Sequence, residues 1–224
     1  MLGEKNKKNF EPKERIITGM IIFICLILSI TFPAKGNFQD IIKSLIFLLI
    51  LPMLYIKLVL KKSAGDFGLN IQNKKTGIIW GGLMLLVSLL AIYAVINYTD
   101  FTENYALSSL VVNNFWFFLF NTLIIINFFL FLQEYFFRGF VLFSFAPIAS
   151  FWTIFIQAGI YFITILIAKG GFQPEIWTLV PFIIISITGG VTAYKSKSMI
   201  YSYLSGLLFL ILLNSYLIYA IKTQ

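Results

Sequence analysis

Seven runs of this chain are apolar over lengths that approach or exceed the roughly 17–25 residues a helix needs to cross a bilayer. They lie at Ile16–Ala34, Ile41–Leu60, Gly77–Asn97, Asn113–Phe137, Ala149–Ala168, Ile176–Tyr194 and Met199–Ile221. Inside lipid no water is at hand to pair backbone N–H and C=O groups, so runs this long are predicted to be helices rather than strands. Charge points the same way. Charged residues make up 12% of the chain, where soluble domains carry about 25%, and the mean hydropathy is +0.91. Too few charges remain to cover a water-facing surface. The expectation is an all-α polytopic transmembrane helix bundle of about seven spans, one domain over residues 16–221 behind a polar tail, residues 1–15. That tail is long and charge-rich, which predicts a retained first helix rather than a cleavable signal peptide.

The net charge of +8 is explained by where the cations sit. The tail holds Lys5, Lys7, Lys8, Lys13 and Arg15. The connection after the second run holds Lys61, Lys62, Lys74 and Lys75, and the one after the sixth holds Lys195 and Lys197. If every run crosses once, all three fall on one side. The other side has Lys35, Lys169 and Lys222, with the acidic Asp100 and Glu103 in its third connection. The positive-inside rule then predicts a cytoplasmic N-terminus, an external C-terminus and a plasma-membrane location. The abundance of Phe, Ile, Lys and Asn suits an AT-rich, prokaryotic genome. No basic tract interleaved with aromatics stands outside the runs, so no nucleic-acid partner is expected. Membrane lipid is the expected partner on this reading, with a membrane protein or peptide as a further candidate.

The single cysteine, Cys25, lies inside the first run, and the chain has no histidine. There is no disulfide framework. The commonest neutral-pH base and the commonest zinc ligand are both missing. No metal and no cofactor are expected.

Polar residues inside apolar runs are costly, about 2.5–3.5 kcal/mol for a charge at mid-helix on insertion scales. Between Glu103 and Lys169 only Glu134 and Arg138 are charged. Four residues apart, they share a helix face. Two readings are open: a local ion pair stapling a helix end at the interface, or a pair facing the bundle interior or a water-filled cavity. Gln133 adjoins them, Asn127 lies two turns earlier on the same face, and Gln157 and Asn214 are placed to share the same space. Asn121, Asn127, Gln157 and Asn214 also suit interhelical hydrogen bonds. Gly65-Asp66-Phe67-Gly68-Leu69 reads as a turn before the third helix. Pro147, with Gly139 upstream, reads as a break, with residues 139–147 as a short interfacial helix.

The string Gln133-Glu134-Tyr135-Phe136-Phe137-Arg138-Gly139-Phe140 resembles the first motif of the CPBP (Abi) family, Glu-Glu-x-x-x-Arg. That family includes type II CAAX prenyl endopeptidases and bacteriocin self-immunity proteins. Gly65–Leu69 with Lys74-Lys75-Thr76-Gly77, and the tract Gly189–Met199, look like the family's approaches to two of its helices. The resemblance covers about residues 60–215. It implies an intramembrane protease fold in which a carboxylate and a histidine activate water, while a second histidine and an asparagine stabilise the oxyanion. This chain departs at each of those places. Gln133 replaces the first glutamate. In the second motif, Phe-x-x-x-His, Phe162 leads to Leu166, and Tyr161 to Ile165. In the third, His-x-x-x-Asn, family spacing puts Gly206 at the histidine and Leu210 at the asparagine, with Asn214 one turn further on.

The resemblance therefore implies a family member without the family's catalysis, acting as a binding, scaffold or immunity-type protein. Two other readings stand beside it. One is an active CAAX-type or peptide-processing endopeptidase relying on Glu134. The other is a small-solute transporter lined by Glu134 and Arg138, for which no inverted repeat between the halves is visible.

Overall fold

The computed structural model describes residues 12–99, 101, 107–168 and 179–223. Most of the polar tail, Asp100, Glu103, Lys169 and the start of the sixth run at Ile176 lie outside these residues. The described residues are mostly helical, with no strand among them. Helix α1 spans Pro12–Thr31, α2 Asn37–Val59 and α3 Lys74–Tyr98. Helix α4 covers residues 115–149, followed by α5 (Thr153–Ala168), α6 (Val180–Ser196) and α7 (Ile200–Thr223). Five helical runs are long and apolar enough to cross a membrane: Lys13–Thr31, Asn37–Val59, Lys74–Tyr98, Phe115–Ile167 and Ile200–Lys222. The fourth of these contains both α4 and α5. The outward faces match that reading, because large apolar side chains such as Trp116 (76% exposed), Leu58 (65%) and Ile78 (68%) point away from the protein. Water-soluble monomers rarely expose apolar surface on this scale.

The region between α4 and α5 corrects the sequence reading. The break between the two helices falls not at Pro147 but at Ser150, and no separate interfacial helix covers residues 139–147. Helix α4 runs on through Gly139 and Pro147, with widened π-helical turns at Asn121–Ile126 and Glu134–Val141. It ends at Ala149, and the chain reverses at Ser150, whose φ of 49° and ψ of −126° no helix adopts. Pro147 deletes only one N–H, two residues from the helix end, so little of the hydrogen-bond ladder is lost there. Gly139 serves close approach rather than flexibility, since a Cβ on it would stand 3.0 Å from the Phe67 carbonyl oxygen. After the reversal, the Thr153 hydroxyl donates to Leu142 O at 3.1 Å and the Phe137 and Tyr161 rings meet edge to face at 5.0 Å. Helix α5 thus runs back antiparallel along α4.

Two apolar clusters organise the bundle. One joins α1, α2 and the buried end of α4 through residues such as Cys25, Ile56, Phe136 and Phe140. The other joins α3, α6 and α7 through Met84, Ile92, Ile185 and Phe209. Small residues let α3 and α7 approach closely. A Cβ on Gly77 would stand 2.3 Å from the Tyr201 ring, and one on Gly81 would stand 2.7 Å from Ser205 Oγ.

At one end the connections are clasped together. Ser63 and Asp66 cap the short Ala64–Phe67 turn reciprocally, and Gly68 closes it with a left-handed φ of 85°. This is the turn read from the sequence. Its Gly68 carbonyl accepts from Met199 N at 3.0 Å, at the start of α7. Asn70 Nδ2 donates to Lys197 O at 3.0 Å and Asn73 Nδ2 to Ser196 O at 3.2 Å, while the Ser198 hydroxyl donates to Asn70 O. The clasp puts Lys61, Lys62, Lys74, Lys75, Lys195 and Lys197 at a common end of the bundle. Burial lowers the Lys62 ammonium pKa, and Glu14 and Asp66 nearby work against that shift. The start of α1 therefore belongs to the same end.

Candidate functional site

The site begins with the one carboxylate and one guanidinium that α4 carries. Glu134 and Arg138 are 4% and 5% exposed and form an ion pair along the helix. Both are enclosed by protein, so the pair faces the bundle interior rather than solvent. Each also reaches another helix. Arg138 Nη2 donates to Ile185 O of α6 at 2.7 Å. Ser202 Oγ of α7 lies 2.9 Å from Glu134 Oε2 and 2.8 Å from Met199 O, so its single proton serves one acceptor at a time. A charged pair is tolerable in an apolar interior only with such added partners.

Why the pair fits lies in α6. A Cβ on Gly189 would stand 2.2 Å from Arg138 Cζ, and one on Gly190 would stand 3.1 Å from Gln157 Nε2. The adjacent glycines leave room for the two polar side chains that α4 and α5 send toward α6. Gln157 is fully buried, and its Nε2 donates to Ser186 O at 2.9 Å. Gly189→Ala is expected to cost about 1–3 kcal/mol through overpacking against the guanidinium. The measure is the unfolding midpoint in mixed detergent micelles. Gly82→Ala, whose Cβ meets nothing within 4 Å, should show no loss.

Beside the pair lies a cavity of about 60 Å³ among α4, α5, α6 and α7, with room for a few water molecules. Helix α4 contributes Gln133, Glu134 and Arg138 to its wall, α5 contributes Gln157 and Tyr161, and α7 contributes Gly206 and Leu210. Gln133 is exposed and forms the rim. Leu130, Phe137, Phe182, Ile185 and Phe209 supply apolar walls. A Cβ on Gly206 would stand 3.6 Å from Glu134 Oε1, so position 206 looks straight at the carboxylate.

Of the residues singled out in the sequence, Gln133, Glu134, Arg138, Gln157, Gly206 and Leu210 come together here. Phe162, Leu166, Asn127 and Asn214 do not. Phe162 and Leu166 stay off the wall, because the face of α5 that meets the cavity carries Gln157 and Tyr161, one turn apart. Leu166 is five residues past Tyr161 and so turned about 140° away. Asn127 is an interhelical partner instead, accepting from the Tyr203 hydroxyl at 2.6 Å. Asn214 is buried on α7 beyond Leu210, past the end of the cavity. Among the described residues no cluster of three or more His, Cys, Asp or Glu side chains is placed to hold a metal ion. The sequence reading missed Tyr161 as a wall residue, Ser202, and the glycine pair as a cradle. The position of Ser202, four residues before Gly206, was the available signal for the serine. Comparison with family models, with curated proteins and with solved structures finds no match for this chain.

Proposed function

We propose that this chain is a seven-crossing membrane protein of the CPBP (Abi) type that binds in the family's cavity and does not cleave. One observation carries the reading. Gly206 and Leu210, the positions to which the resemblance assigns the third-motif histidine and asparagine, lie on the same cavity wall as Glu134 and Arg138. Coincidence of register between two distant helices is what a shared scaffold requires. The chemistry at those positions is nevertheless absent. Glycine and leucine offer no base and no hydrogen-bond donor, and Gln133 accepts no proton from water at neutral pH. Both oxygens of Glu134 already have partners in Arg138 and Ser202. Loss of general-base help costs about 10²–10⁴-fold and loss of an oxyanion donor about 10²–10³-fold. The function left to such a cavity is to hold a peptide, a lipid-linked segment or a partner protein, as a scaffold or immunity-type factor.

The clasped end carries most of the described lysines, which supports an orientation with that end and the N-terminus in the cytoplasm. The purified protein in nanodiscs, incubated with a prenylated CAAX peptide and with a transmembrane peptide, is expected to release no product above background. Cleavage that disappears in Glu134→Gln would overturn the reading in favour of a protease working from Glu134 alone.

A further inference from the structure

Gln157 holds a polar atom that nothing among the described residues uses. Its Nε2 donates to Ser186 O at 2.9 Å and lies 3.2 Å from Ser186 Oγ. A backbone carbonyl only accepts, so that contact fixes which end of the amide is the nitrogen. The other end, Oε1, is buried with no hydrogen-bond partner among the described residues, on a side chain of the cavity wall that is itself fully buried. A buried acceptor left unpaired bears its whole desolvation penalty, so an occupant that brings a donor is favoured there.

The rest of the wall narrows the chemistry of that occupant. Glu134 and Arg138 neutralise each other, and the remaining lining residues are uncharged. A charged group entering the cavity would meet no uncompensated counter-charge and would lose its hydration. An acyl chain would satisfy Phe182, Ile185 and Phe209 but leave Gln157 Oε1 unpaired. An amide flanked by apolar side chains meets both demands, since its N–H would serve Oε1 while the Tyr161 phenol stands on the same wall for its carbonyl.

Resting on the binding function proposed for this cavity, we infer that Gln157 is its recognition residue, accepting a hydrogen bond from an uncharged peptide amide N–H in an apolar segment. The full-length protein in nanodiscs is photolabelled with a capped Leu–photo-leucine–Leu peptide and with its ester isostere, which lacks the central N–H. Competition with the unlabelled amide peptide defines specific labelling, read by mass spectrometry of the intact chain. The amide is expected to half-saturate wild type at a concentration about 5–10-fold lower than the ester, and Gln157→Leu is expected to erase that difference. Equal labelling of wild type by amide and ester overturns the inference while leaving cavity binding intact. Absence of competable labelling by either probe overturns both. The amide–ester comparison is made in wild type, so the inference stays falsifiable if Gln157→Leu does not fold.

Discussion

Arg138→Leu is expected to destabilise the protein by about 3–5 kcal/mol, the typical cost of removing one partner from a buried ion pair. The loss comes mostly from what stays behind. Glu134 would keep its charge in an enclosed site (4% exposed) with Ser202 as its remaining partner, and Ile185 O would lose the guanidinium that reaches it from α4. Replacing both members, Glu134→Leu with Arg138→Met, should recover most of that loss, because apolar groups of similar volume need no partner. The measurement is unfolding in mixed micelles for the two single variants and the double variant. The competing reading, an exposed pair at a helix end, predicts single-variant losses of about 0–1 kcal/mol. Losses that small and simply additive would remove the pair from the interior.

Gly68→Ala is expected to be comparably damaging, at about 2–5 kcal/mol. Two costs combine. Position 68 holds a left-handed φ of 85°, which a side chain makes unfavourable by roughly 1–2 kcal/mol. A Cβ there would also stand 2.5 Å from the Phe143 ring and 3.0 Å from Met199 N, and overpacking of this kind costs about 1–3 kcal/mol. The backbone nitrogen of Met199 has little freedom to retreat because it donates to Gly68 O. Opening the clasp should also expose the connection around Lys61, Lys62, Lys74 and Lys75 to trypsin, so faster cleavage accompanies the lost stability. Gly65→Ala is the control. Its Cβ meets only Ser63 Oγ at 3.5 Å, and a change within about 0.5 kcal/mol is expected.

Both predictions depend on contacts between segments far apart in the chain, and this separates what was legible beforehand from what was not. The first three helices follow their apolar runs closely: Ile16–Ala34 became Pro12–Thr31, Ile41–Leu60 became Asn37–Val59, and Gly77–Asn97 became Lys74–Tyr98. A local rule governs them, since backbone groups without water pair within their own segment. The end of α4 defeated the same approach. Gly139 and Pro147 were read for their local effect on a helix, whereas the neighbours of α4 hold it together and Ser150 supplies the turn.

The sequence alone determined the helical character of the chain and the apolar runs long enough to cross a membrane, and drew attention to Glu134 and Arg138, because a charge in an apolar run must find company wherever it ends up. It also put Gln157 and Gly206 on helices that share the site. Only the tertiary structure decided which side chains meet. Helix rotation selects Tyr161 over Phe162 and Leu166, a matter of about 100° per residue that no composition reveals. The roles of Gly189 and Gly190 emerge only when Arg138 and Gln157 arrive from other helices to occupy the space, because a missing side chain carries no signal until something fills its place.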